Sequence, residues 1–434
     1  MAEPIKILLP TSDFPKSWIN LASHLQKLGE LAGPRDPQEG PSRLKALSDY
    51  MPKELLAQEQ TRESEVSIPS ELHEPLFRIG RPTPLQRANR LETALKTPAK
   101  IYYKREDISY STSDKTNTSV PQAFYAVKDG FSKVISGGGA VWGSALSIGA
   151  TYQHLACEYF MPKSYFELKE PHRILMETNS MKLYSSPSED TQVGKKARGE
   201  KVDHPGNVSV ALSEAVQKAS REKAAFTFGS FFRMVAIHQS IVGLETKKQL
   251  ESVGKYPDVI IGSIDDLLGL GAPFIVDRVS GSRPQTRFVV GESKHVPVLT
   301  NGRLDYDFAD YGELTPMYRF HSLGHTFDPP LIHAGEFRYH GVSPLLSHLL
   351  ENRILEVRDY SQSEAFEAGV TFAKNQGVIP SHEAQYAVKA AIDEALRARD
   401  EGKEKVILFS LSGHTMLEYT GYSEYLIDKK LGVP

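Results

Sequence analysis

The chain has 434 residues, 40% hydrophobic and 24% charged, which is the composition of a globular protein long enough for two core-forming domains. Its 51 lysines and arginines against 54 acidic residues leave a formal net charge of -3, which excludes a basic nucleic-acid footprint, so no nucleic-acid partner is expected. The start, MAEPIKILLP, lacks a basic stretch followed by an apolar core, and no run approaches the ~20 apolar residues that span a bilayer. The expectation is a soluble, cytoplasmic protein with no membrane partner.

In chain order, residues from about Pro34 to Pro69 are rich in Pro, Glu, Gln, Arg and Ser around a helical pattern, SRLKALSDYMPKELLAQE, which predicts an extension packed on the body of the fold. From Ala99 onward, short apolar runs alternate with helical patterns. AKIYYKRE is followed by QAFYAVKDGF, then SKVI; further on come ALSEAVQKAS, DVIIGSI, RFVVGES, AQYAVKAAIDEALRARDEG and KVILFSLS. This alternation predicts an α/β protein with largely parallel sheets. Cys157, the one cysteine, lies in the apolar run TYQHLACEYF and excludes an internal disulfide and any multi-cysteine metal site. We expect residues 1–98 to form an N-terminal extension and lead-in, 99–252 a first α/β lobe, and 253–434 a second, with the seam where a long helix ends in VGKYPD. Ligands of open parallel sheets sit beyond the carboxyl ends of the strands. Chemistry is therefore expected just after AKIYYKRE, SKVI, DVIIG and ILFS.

The stretch GRPTPLQRANRLETALKTPAKIYYKRED, from Gly80 to Asp107, resembles the second-type tryptophan synthase beta chain, and so do VWGSAL, HQSIVGLETKKQL, HSLGH, PPLIHAGEFRYHGVSPLL and ALRARDEGKEKVILFSLSGH. The resemblance covers nearly all of the chain after residue 75. It implies the two-lobed fold of fold-type II pyridoxal phosphate enzymes and a homodimer, without the alpha-chain partner of the first type. It also implies that Lys115 corresponds to the lysine that condenses with the cofactor aldehyde, Asn117 to a ring-hydroxyl partner, Ser412 to the partner of the ring nitrogen, and Glu383 to a glutamate near the cofactor.

Several matched positions depart from the family pattern. Asp114 stands where the family has a histidine, and a carboxylate there favours the charged form of Lys115. The family's glycine-rich phosphate cradle is replaced by Ser263-Ile264-Asp265-Asp266, where two ionised carboxylates ~4 Å apart would cost about 4 kcal/mol at an effective dielectric of ~20. Ser136 replaces the glutamate that shuttles protons, and its hydroxyl is no carboxylate acid or base. Asn is replaced by Arg233, a cation suited to holding an anion, and His by Tyr386. The run Gly137 to Ala140 keeps backbone N–H groups suited to an anion, which makes Gly138 and Gly139 substrate-binding candidates beside Arg233, Asp265 and Arg338. In HAGEFRYHG, where Glu336 replaces a glycine, His333 and His340 are candidates for proton transfer. Catalytic candidates are thus Lys115, Asp114, Ser136, His333 and His340. No metal is expected, because no H-E-x-x-H or comparable ligand pattern occurs.

Replacement at three separated motifs leads to the expectation of an enzyme of specialised metabolism that kept the pocket but works without a cofactor. It would form, cyclise or isomerise bonds of a small indole- or amino-acid-derived substrate. Two other readings stay open: a pyridoxal phosphate lyase that makes tryptophan or an analogue by β-replacement of serine, and a catalytically silent binding subunit.

Overall fold

The computed structural model describes residues 4–431; of the start MAEPIKILLP, residues 1–3 lie outside the described residues. The larger of two main sheets runs in the order Lys6–Ile7, Leu85–Arg87, Lys100–Arg105, Val406–Leu411, Val259–Ser263, Arg287–Ser293 and Leu355–Tyr360. Its first two junctions are antiparallel and the other four parallel. The smaller sheet, Lys182–Ser186, Ala156–Pro162, Lys133–Gly137 and Ala225–Phe226, is parallel throughout. The expected α/β fold with largely parallel sheets is what the chain adopts. Every residue of Val406–Leu411 and of Val259–Ser263 is buried, which is why both read as unbroken apolar runs rather than alternating ones.

Each sheet carries its own apolar core, with Ile101, Ile260, Phe288 and Leu408 in the larger and Val134, Phe160 and Phe226 in the smaller. Residues 99–252 supply all four strands of the smaller sheet and also Lys100–Arg105 to the middle of the larger one. The helical pattern near the N-terminus resolves into two helices, Arg43–Tyr50 and Lys53–Gln60. Pro52 separates them, because a proline pushes the residue before it out of the helical region, and Met51 is extended at φ -91, ψ 130. Helix Ala384–Glu401 packs on the larger sheet and ends where Gly402, at φ +64, takes the left-handed conformation of a C-terminal cap. Among the described residues no helix is long and apolar enough to cross a membrane.

Candidate active site

The four strand-end segments meet. Lys100–Arg105 leads through a short turn to Asp114 and Lys115, at the head of helix Thr116–Lys128. Lys133–Gly137 leads to Gly138 and Gly139, before helix Ala140–Tyr152. Val259–Ser263 leads to Asp265 and Asp266, before helix Leu267–Val279, and Val406–Leu411 to Ser412 and Gly413. One cavity is lined by Asp114, Lys115, Val141, Asp265, Asp266, Ser412 and Gly413, joined by Glu336, Glu383 and Glu418 from the later part of the chain. Against it lies a second, aromatic cavity walled by Trp142, Phe228, Phe231, Phe232 and Tyr339, with Gly139 and Gln239 at its edge. Asp265 and Glu336 line both.

Lys115 is buried, and its Nζ lies 3.3 Å from Asp265 Oδ1. Burial alone would lower its pKa, but Asp265, Asp114 and Glu336 outweigh burial and hold the ammonium above its ordinary value. Asp114 is tied down on both oxygens: Ser412 Oγ donates to Oδ1 at 2.9 Å and Gln239 Nε2 to Oδ2 at 3.0 Å. Burial, against the pull of Lys115, raises the Asp114 carboxyl. Asp266 folds back so that its Oδ1 accepts the Ser263 N–H at 2.6 Å. Burial, then the charge of Asp114, pushes Asp266 well above the usual carboxylate range. Glu336, on the short turn Gly335–Phe337, accepts the Val141 N–H at 2.9 Å, and burial followed by Asp265 raises it to about 7. Its own N–H donates to Glu383 Oε1 at 3.3 Å, whereas Glu383 Oε2 is buried and has no hydrogen-bond partner among the described residues. Burial and then Glu418 raise the Glu383 carboxyl. The cavity thus gathers six acids around one lysine, and four of them, Asp114, Asp266, Glu336 and Glu383, are shifted toward the protonated form.

The sequence-predicted residues divide into two groups. Asp114, Lys115, Gly139, Asp265, Glu383 and Ser412 line the cavities, and Gly138 lies at the strand end beside them, its N–H donating to Phe160 O at 3.1 Å. Others are placed elsewhere by the demands of buried polar groups. Ser136 Oγ donates to Thr227 O at 2.5 Å and accepts from Trp142 Nε1 at 2.8 Å. His340 is spent on Ser209 Oγ and Phe308 O, and burial lowers its pKa to about 4, so it stays neutral. Arg338, fully buried, donates to the carbonyls of Pro329, Pro330 and Gly206 and to Ser164 Oγ, where it pins loops rather than substrate. His333 pairs with Glu424 at 2.9 Å. Arg233 lies in a surface groove with Glu59 and Tyr318, and Asn117 bonds Arg81 and Glu106 in a separate buried cluster. Tyr386 reaches Ser293 Oγ at 3.4 Å. Sequence reasoning gave no role to Glu336, which it noted only as a replaced glycine, nor to Gln239, His172 and Glu418; the acid inside an otherwise family-like loop was the one available signal.

Comparison with known proteins decides the family. Residues 76–413 match the family described as pyridoxal-phosphate dependent enzyme. Relatives include tryptophan synthase beta chain 2 of Methanosarcina mazei, 42% identical over 429 residues (98% of this chain, 96% of the relative). The protein of the same name from Aeropyrum pernix is 43% identical over 426 residues (96% and 94%). The chain belongs to the pyridoxal-phosphate dependent enzyme family. Solved structures agree on the fold: a fungal L-serine ammonia-lyase from Rhizomucor miehei superposes with a TM-score of 0.62 at 17% identity, covering 80% of this chain and 98% of that one. Threonine deaminase isoform 2 from Solanum lycopersicum gives 0.60 at 14%, covering 93% and 98%. The chain is an enzyme of the lyase and synthase type.

These matches overturn the expectation of a cofactor-free enzyme with a degenerate pyridoxal phosphate site, together with the cyclisation or isomerisation assigned to it. The physical reason lies in the charges. The repulsion expected at the phosphate end assumed two ionised carboxylates, but burial keeps Asp266 protonated and Lys115 compensates Asp265. The residues present fit the group. A buried primary amine, held by its ion pair with Asp265, lies in the cavity for the aldehyde. In helix Leu267–Val279 the Leu270 N–H is the first to donate within the helix, to Asp266 O at 3.2 Å, which leaves the three preceding amides free of intrahelical acceptors at an anion-binding end.

Proposed function

We propose that this chain is a pyridoxal-phosphate-dependent lyase that makes tryptophan or an analogue of it, replacing the β-hydroxyl of serine or a serine derivative with the carbon of an indole. The observation that carries the reading is Lys115: its buried amine lies where four strand ends converge, against a cavity walled by aromatic rings that suits a flat heteroaromatic nucleophile. The matches to tryptophan synthase beta chains over nearly the full chain support the same reading. When bound, the cofactor supplies an electron sink for charge at the substrate's Cα.

The protein's own residues do the remainder. Lys115 would hold the cofactor's aldehyde and would carry the proton at Cα. Asp265, at 3.3 Å, keeps that amine oriented. Asp114, fixed by Ser412 and Gln239, holds the lysine segment from behind. Glu383 and Ser412 line the cavity that would hold the cofactor, and Asp265 and Glu336 line both cavities, placed to accept a proton at their boundary. A homodimer working in the cytoplasm completes the proposal, and light scattering and cell fractionation test those two points.

The deciding experiment is an absorbance spectrum with added pyridoxal phosphate, followed by borohydride reduction and peptide mapping. A visible band fixed onto Lys115, with product formed from serine and indole, is the expected result. No band, or label on another lysine, overturns the reading.

A further inference from the structure

Glu336 places its carboxylate against the first turn of helix Ala140–Tyr152, a position suited to an anion. Helix Ala140–Tyr152 makes its first intrahelical bond from Gly143 N–H to Gly139 O at 3.3 Å, so the amides before it have no acceptor within the helix and suit an anion. In this chain Glu336 Oε1 takes the Val141 N–H at 2.9 Å. The fit is close: a Cβ on Gly139 would stand 2.0 Å from the same oxygen, so any side chain there would push the glutamate out of this position.

The glutamate is also held in place. Its N–H is bonded to Glu383, the neighbouring Gly335 carbonyl accepts from Tyr165 OH at 2.6 Å, and Arg338 anchors the turn from the other side. The charged and titratable groups around it are Lys115, Asp265, Glu383, Glu418 and the phenol of Tyr159. Lys115 is the cation that acts on it directly and already pairs with Asp265, while the nearby Lys169 is taken up by Glu418 and acts on Glu383.

We propose that Glu336 sets the substrate class of this site: by occupying the first turn of helix Ala140–Tyr152 it selects an amino substrate that presents an uncharged amide or ester there, in place of a free carboxylate. This rests on the β-replacement reading and narrows it to an analogue of tryptophan with a masked carboxyl. An amide suits the surroundings, since its N–H₂ can donate to Glu336 and its carbonyl can accept from the protonated, unpartnered Glu383 Oε2, while adding no charge to a cluster of acids. A free carboxylate would have to displace Glu336 and lie beside Asp265 without a new cation.

The test compares L-serine with L-serinamide on the full-length enzyme, as kcat/KM with indole in the presence of pyridoxal phosphate and as direct binding by calorimetry. For the wild type, serinamide is expected to be favoured at least tenfold by both measures. Glu336→Gly, which vacates that turn, should reverse the ratio. Glu336→Gln, which keeps shape and removes charge, should bring it near unity. A wild-type preference for serine that Glu336→Gly leaves unchanged overturns the proposal. Because calorimetry reads the ratio without turnover, absence of the cofactor band sinks the β-replacement reading while the role of Glu336 is still decided by binding.

Discussion

Two clusters of buried charge lie close together in the chain and behave oppositely. In the first, the Arg81 guanidinium reaches Glu106 at 2.7 Å and Glu245 Oε1 at 2.8 Å, and Lys104 Nζ lies 2.8 Å from Glu245 Oε2, so two cations face two carboxylates. Thr83, Asn117 and Gln249 satisfy the remaining valences. Burial opposes ionisation of Glu106, but Arg81 and then Lys104 overcome it and hold its pKa below the ordinary value. In the second, Lys115 stands against Asp114, Asp265, Asp266, Glu336 and Glu383, and burial raises the acids it does not pair with. A balanced, fully bonded cluster fixes structure. An unbalanced one keeps protons close to transfer near neutral pH, which is a property expected of a catalytic site.

The largest effect should come from breaking the balanced cluster. Arg81→Ala leaves Glu106 and Glu245 buried with too little positive charge, and a loss of about 3–5 kcal/mol in urea unfolding is expected. A loss under ~1 kcal/mol would mean that water reaches the cluster and that the contrast is overstated. Lys115→Ala should do the reverse, with turnover falling on the order of 10³-fold and borohydride-fixed cofactor disappearing. Stability should hardly change, because Asp265, its side chain 18% exposed, can still meet solvent. Comparable unfolding losses in both variants would erase the distinction.

The pH dependence sharpens the comparison through its sign. Glu336 in the folded chain is raised to about 7 from the 4.5 of a free glutamate, so between those values the folded state keeps a proton that the unfolded chain has released. Its contribution is present below pH 4.5 and is lost as pH rises through 7, by up to about 3 kcal/mol for a group this partly buried. Glu106, with a lowered pKa, acts on the other side: its stability is present above its unfolded value and lost as pH falls. Urea midpoints between pH 5 and 8 should therefore decline toward alkaline pH, and Glu336→Gln should flatten that decline without altering the acid limb. A slope unchanged by Glu336→Gln would place the titration on other groups.

The four strand ends were legible in the sequence because buried parallel strands leave unbroken apolar runs, and the segments after them could be named before their meeting was visible. Lys115, Asp265, Glu383 and Ser412 could be read as site candidates from aligned text. What the sequence did not reveal was burial. Formal charge made Asp265 and Asp266 look like a barrier to a phosphate, whereas desolvation neutralises one and Lys115 pairs the other. His340 and Arg338 sit in a polar loop that reads as reactive, yet their hydrogen bonds go to carbonyls and hydroxyls that would otherwise be buried unpaired. Glu336 reaches Val141 across 195 residues, and no local pattern encodes such a contact.

Ser136 gives the smallest and most discriminating test, since it occupies the position that the family pattern gives to a proton-shuttling glutamate. Its hydroxyl is already used in both directions, accepting from Trp142 Nε1 and donating to Thr227 O, and it is fully buried away from the cavities. Ser136→Ala would leave the indole N–H and the carbonyl without that partner, at a cost of about 1–2 kcal/mol in unfolding free energy. Activity per folded molecule should stay within about a factor of two, with the pH profile unmoved, because no proton of the reaction passes through this oxygen. If the variant instead lost on the order of 10²-fold in kcat at unchanged stability, Ser136 would belong to the reacting cluster. The proton transfers assigned to the carboxylates between the cavities would then have to be shared with it.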